Sequence, residues 1–171
     1  AAFEGASSTG AAYIYERNNL GVWTLVKKIA GSSPDTDVLN FGKSVAIHGD
    51  TVVIGSPADR YDVNGVSGTE SKVGSVYIFG RNHNGLNQWG QVKQLKLDNA
   101  NGAAFDEFGG SVAIDGTTII VGARQDSYNL NGIVGDELNV GSAYIFDRDL
   151  GGINNWGLVK KLTLDASNGA A

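Results

Sequence analysis

The residues able to do chemistry gather in two stretches of one design. The first runs from Asp59 through Tyr61, Asp62, Asn64 and Gly65 to Glu70; the second runs from Asp126 through Tyr128, Asn129, Asn131 and Gly132 to Glu137. Oxygen donors at alternate positions, followed by a glycine that permits a sharp turn, suit calcium, which takes six to eight oxygen ligands. The candidate ligands are Asp59, Asp62, Asn64 and Glu70, with Asp126, Asn129, Asn131 and Glu137 in the other stretch. A D-x-[DN]-x-[DN]-G loop would begin at Arg60 or Ser127, which puts a cation in the first ligand's place in one stretch. The other reading of the same residues is solvated loop acids around Asn-Gly turns. Tyr61 and Tyr128 add a phenol to each stretch, able to contact a ligand or to anchor the loop.

Other chemistries have little to draw on. The chain of 171 residues contains no Cys, which removes thiolate metal sites, disulfides and a cysteine nucleophile. Its two histidines, His48 and His83, lie far apart in polar, turn-like contexts. No serine sits in a nucleophile elbow, no phosphate loop occurs, and no N-x-[ST] sequon is present. No acid is placed by the sequence in an apolar setting that would raise its pKa for acid/base work. The expectation is a binding protein rather than an enzyme. A net charge of −5 argues against nucleic acid, whose phosphates need a basic surface. The apolar runs are too short to span a bilayer.

The elements that must position these loops repeat. Shifting the sequence by 67 residues aligns 41–104 with 108–171 without a gap, and about 35 of 64 positions are identical, far beyond chance for unrelated β segments. Each copy reads as four strands. Ser44–Ile47 and Thr51–Gly55 form a hairpin across His48-Gly49-Asp50; the acid-rich loop follows; Gly74–Phe79 is the third strand, and the fourth runs from Trp89 to about Leu97. Residues 10–17 and Trp23 match the third and fourth strands of a further, partial copy. Glycine, at 25 residues, and Pro, at only 2, fit short strands joined by tight turns.

The strand patterns predict stacked sheets. Val52-Val53-Ile54, Ile119-Ile120-Val121, and the Tyr-Ile-Phe strands at 76–79 and 143–146 are continuous apolar runs, as expected when both faces are covered. Small residues in the first strand (Ser44, Ala46, Ser111, Ala113) suit convergence on an axis. Lysines in the fourth (Lys93, Lys96, Lys160, Lys161) suit an outer edge. The recurrent Trp23, Trp89 and Trp156 are expected to pack between sheets, although exposed indoles could also stack on sugar rings. The fold expected is all-β, with β-propeller blades of four antiparallel strands and about two and a half blades, an incomplete ring.

The stretches Phe41-Gly42-x-Ser-Val-Ala-Ile and Phe108-Gly109-x-Ser-Val-Ala-Ile, each followed by Gly-x-Thr and an apolar strand, resemble FG-GAP repeats, the blades of integrin-α-like propellers. In the second copy Gly122-Ala123-Arg124 departs from the family's frequent Gly-Ala-Pro. The division implied is a partial blade and linker over 1–40 and complete blades over 41–107 and 108–171. The resemblance implies calcium in blade loops and an extracellular or cell-surface setting. An acidic, cysteine-free chain is compatible with a secreted bacterial protein. It further implies a scaffold or adhesion module that binds a protein or glycan ligand on a loop face. Two other functions stay open: a filament or oligomer subunit whose blades are completed between chains, and a carbohydrate-binding or carbohydrate-active propeller using Tyr61 and Tyr128. The sequence opens inside a blade and stops where another would begin. This suggests a segment of a longer polypeptide, a protomer that completes its blades with neighbouring chains, or a processed terminus.

Overall fold

A computed structural model describes residues 10–31, 40–60, 72–98, 102–127 and 139–164. They form ten strands: β1 (Ala11–Arg17), β2 (Trp23–Ala30), β3 (Ser44–His48), β4 (Thr51–Ser56), β5 (Ser75–Gly80), β6 (Gly90–Leu95), β7 (Phe108–Asp115), β8 (Thr118–Ala123), β9 (Ser142–Asp147) and β10 (Gly157–Leu162). β1 and β2 pair as a two-stranded sheet, and β3 to β6 and β7 to β10 form two four-stranded sheets, each in sequence order and antiparallel throughout. These are blades of the expected kind, without a closed ring. Among the described residues no helix is long and apolar enough to cross a membrane.

β6 and β10 are edge strands as the lysines suggested, and Lys160 is exposed there, but Lys161 turns inward onto a buried acid. Each third-to-fourth strand pairing, β1–β2, β5–β6 and β9–β10, carries a register shift at the same place. Such a bulge increases local twist, which helps splay an outer edge.

The sheets stack face to face. One cluster joins Val53, Ile78 and Leu95 of the second sheet to Ile119, Val121 and Tyr144 of the third. A second cluster joins Ala12, Ile14 and Ile29 of the first sheet to Val52, Ile54 and Tyr77 of the second. Each sheet therefore has a leading face, carrying the Tyr-x-Phe side chains of its third strand, which packs on the trailing face of the sheet before it.

The Phe-Gly corner does two tasks at once. Phe108 sits edge-on to Tyr144 at 5.3 Å and to Phe146 at 6.0 Å, and Phe41 sits edge-on to Tyr77 at 5.3 Å and to Phe79 at 6.5 Å, so each ring closes the end of its own blade. Meanwhile its backbone is pressed on the preceding sheet: Phe108 N–H donates to Val73 O at 2.9 Å, and Ser44 Oγ donates to Gly109 O at 2.8 Å. The approach is close enough that a Cβ on Gly74 would lie 2.1 Å from Phe108 O.

Two expectations need correction. Ile120, expected to be covered on both sides of β8, is 46% exposed, because among the described residues no sheet lies on the trailing face of the third sheet. Trp89 and Trp156 do pack between sheets, at 2% and 3% exposure, but Trp23 is 64% exposed, because nothing described precedes the first sheet.

Candidate functional site

Both acid-rich loops spring from the same place, the connection between the second and third strands of a complete blade, and both are closed at the root by their first acid. Asp59 is 3% exposed. Its Oδ1 accepts from Ser56 Oγ at 2.6 Å and its Oδ2 from the Tyr77 hydroxyl at 2.7 Å. Its backbone N–H donates to Ser56 O and its carbonyl accepts from Gly74 N–H, both at 3.2 Å, so one residue ties the outgoing stem to the returning one. Gln94 Nε2 of β6 supports the arrangement, donating to the Tyr77 oxygen at 2.9 Å and to Ser75 Oγ at 3.2 Å.

Asp126 repeats the pin with different parts. It is 1% exposed, its carbonyl accepts from Gly141 N–H at 3.0 Å, and its Oδ2 accepts from the Tyr144 hydroxyl at 2.7 Å. The position of Ser56 is taken by Ala123, which has no hydroxyl, and Ser142 of β9 donates to the carboxylate instead. The position of Gln94 is taken by Lys161, whose Nζ lies 2.7 Å from Asp126 Oδ2 and 5.3 Å from the centre of the Tyr144 ring. Burial pushes the Tyr144 phenol pKa well above its ordinary value, and the negative charge of Asp126 raises it further. Tyr144 therefore stays a hydrogen-bond donor at any ordinary pH.

Of the ten residues expected at a site, the structure describes Asp59 and Asp126. Asp62, Asn64, Glu70, Asn129, Asn131, Glu137, Tyr61 and Tyr128 lie outside the described residues. As metal ligands, Asp59 and Asp126 would first have to give up hydroxyl donors and, at Asp126, an ammonium group. Their donor set fits a structural pin. Among the described residues no group of three or more Asp, Glu or His side chains gathers where a metal could be held.

The sequence reading missed the partners of the pin. From the sequence Tyr77 and Tyr144 are only strand residues, although their hydroxyls make them more than apolar filling. The visible signal was that Tyr, rather than Phe, stands at this place in all three copies, as Tyr13, Tyr77 and Tyr144.

The Trp residues have a different role. Arg81 lies over Trp89, 5.0 Å from the ring centre, and Arg148 lies over Trp156 at 5.2 Å. Each arginine also reaches back to the preceding sheet: Arg81 forms an ion pair with Glu16, and Arg148 donates to Thr51 Oγ1 at 3.3 Å.

No curated protein matches the chain. A family model described as FG-GAP repeat matches residues 23–79 and 89–146, together more than half of the sequence. Each match runs from the last strand of one sheet through the first three strands of the next, so the unit it delimits contains a junction between sheets. With a Phe-Gly corner at the centre of each junction, seated on the glycine of the sheet before and closing the blade that follows, the chain belongs to the FG-GAP repeat family.

Proposed function

We propose that this chain is a non-enzymatic, extracellular display scaffold whose two acid-rich loops present a binding surface for a protein or glycan. The observation that carries this reading is the twice-built pin. A buried aspartate is expensive to keep unless its oxygens are satisfied, and here two different sets of donors satisfy it at the same place. The shared outcome is a rigid root beneath a long polar loop, and binding residues characteristically sit on loops that a rigid frame holds in place.

Within this reading, Tyr61 and Tyr128 are the aromatic contacts. Calcium belongs to the oxygens beyond the pins, Asp62, Asn64 and Glu70 with Asn129, Asn131 and Glu137, where it would stiffen the loops without disturbing their roots. Isothermal titration with calcium, alone and after Glu70→Gln and Glu137→Gln, tests that part; absence of heat would remove the metal.

The decisive experiment separates display from support. Residues 61–71 and 128–138 are replaced by Gly-Ser linkers of equal length, and both melting temperature and binding on glycan and protein arrays are measured. Retained stability with lost binding is expected. A large fall in melting temperature would make the loops structural and overturn the reading, as would arrays that give no signal with the intact chain.

A further inference from the structure

The two junctions between sheets carry different charges at the end where Thr51 pairs with Gly80, opposite the roots of the acid-rich loops beyond Ser56. At the first junction Arg81, just past β5, is held by two carboxylates: Glu16 of the first sheet, and Asp50 of its own sheet at 2.6 Å. At the second junction the counterpart of Arg81 is Arg148, and both acids are replaced. Gly80 stands in the place of Glu16, and Thr117 in the place of Asp50. Among the described residues no carboxylate pairs with Arg148. Its guanidinium rests on neutral partners, Thr51 Oγ1 and Gly116 O, both at 3.3 Å, and on the ring of Trp156 at 5.2 Å.

The missing side chain leaves room. A cleft of about 290 Å³ opens here between the second and third sheets, and Asp50, Thr51, Gly80, Arg81, Arg148 and Asn154 are among its lining. Asp50 is already bound to Arg81, so the lining sets two guanidinium groups against one carboxylate. A planar guanidinium drawn partly out of water is best satisfied by a carboxylate, which matches its fork of donors. The first junction shows which carboxylate fits: that of a glutamate side chain.

We propose that this cleft takes the carboxylate of a glutamate side chain from a polypeptide partner, which pairs with Arg148 as Glu16 pairs with Arg81. The chain as a whole carries a net charge of −5, so the cleft is a local positive point on an acidic molecule. Screening confines its attraction to a carboxylate that comes close. The site lies away from the loop roots Asp59 and Asp126, and it is independent of the ligand proposed for the loops.

Nitrogen-15 NMR titration of the intact chain with two blocked peptides, Ac-Gly-Glu-Gly-NH2 and Ac-Gly-Gln-Gly-NH2, tests it. The glutamate peptide should shift the amide signals of Thr51, Gly80 and Arg148, together with the Arg148 Nε–H, and should saturate. The glutamine peptide, equal in shape but uncharged, should bind about tenfold more weakly or not at all, because a charge-assisted pair is lost. Arg148→Gln should abolish the shifts. Gly80→Glu supplies the counterpart of Glu16 from within the chain. A Cβ at Gly80 meets only side chains, Val92 Cγ2 at 3.2 Å and His83 Cβ at 3.6 Å, so the variant should fold, occupy Arg148 with its own carboxylate and no longer bind the peptide. No shift in the wild type overturns the proposal, as do equal affinities for the two peptides or undiminished binding by Gly80→Glu. Glucuronate that binds more tightly than the glutamate peptide would overturn the polypeptide partner in favour of an acidic sugar. The comparison of the two peptides needs no variant, so it decides the matter even if a substitution disturbs the fold.

Discussion

Lys161 Nζ stands 2.7 Å from Asp126 Oδ2, at the place where the preceding blade has Gln94 bound to the Tyr77 hydroxyl. The same pin is thus held in one blade by a neutral amide acting through the phenol and in the other by an ammonium acting on the carboxylate directly. Removing one partner of a buried ion pair leaves an uncompensated charge, which costs about 3–5 kcal/mol. Lys161→Ala should therefore destabilise the chain by roughly that amount. Lys161→Gln, which copies the neighbouring blade, should recover at least half of the loss, as read by urea denaturation. Equal losses from both variants would show that the charge, and not a donor at this place, is what the pin requires.

The Tyr144 phenol gives the fold an alkaline limit. Its pKa is raised by burial from an ordinary value of 10.0, so above that pH the unfolded chain loses a proton that the folded chain keeps. Stability is fully present below pH 10.0 and falls as pH rises through it, with a slope near 1.4 kcal/mol per unit from this one group. Tyr144→Phe should lower stability at neutral pH, because Asp126 loses a donor, and should make the curve above pH 10.0 flatter. Denaturation midpoints across that range decide the matter.

Glycine substitutions should separate close approach from turn geometry. Gly74 has φ +90° and a Cβ there would meet Phe108 O at 2.1 Å, whereas Gly116 has φ +57° and nothing within 4 Å. Gly116→Ala pays only for the left-handed backbone, about 1–2 kcal/mol. Gly74→Ala adds a clash between two blades and should cost about 4 kcal/mol or more, the range reserved for major disruption. Similar thermal shifts for the two would mean that the Phe-Gly corner can move away from its seat.

The three tryptophans should divide by environment. Trp89→Ala removes a ring buried between sheets and stacked under Arg81, and should cost about 3–5 kcal/mol. Trp23→Ala removes an exposed ring and should change the stability of the dilute chain by no more than about 0.5 kcal/mol. Chemical denaturation at low protein concentration makes the comparison.

Much of the blade was legible because strands announce themselves locally. The repeat, the Gly-Asp hairpin turn, the continuous apolar runs and the edge lysines each report on nearest neighbours, and together they predicted the strand order within both complete sheets. The tryptophans were placed correctly where a neighbouring sheet exists. Trp23 was not, because identical residues in identical registers acquire opposite environments when, among the described residues, no sheet lies against one of them.

At the candidate site the limit was of another kind. Asp59 and Asp126 read as loop acids because their neighbours in sequence are polar, but each is turned inward to a tyrosine 18 residues further along the chain. Such a pairing has no local signature. The sequence alone determined the repeat, the strand order and the Phe-Gly corner, since backbone periodicity and turn chemistry act over a few residues. Only the tertiary structure decided that the first acid of each loop is a buried pin, since burial depends on what the rest of the chain brings alongside.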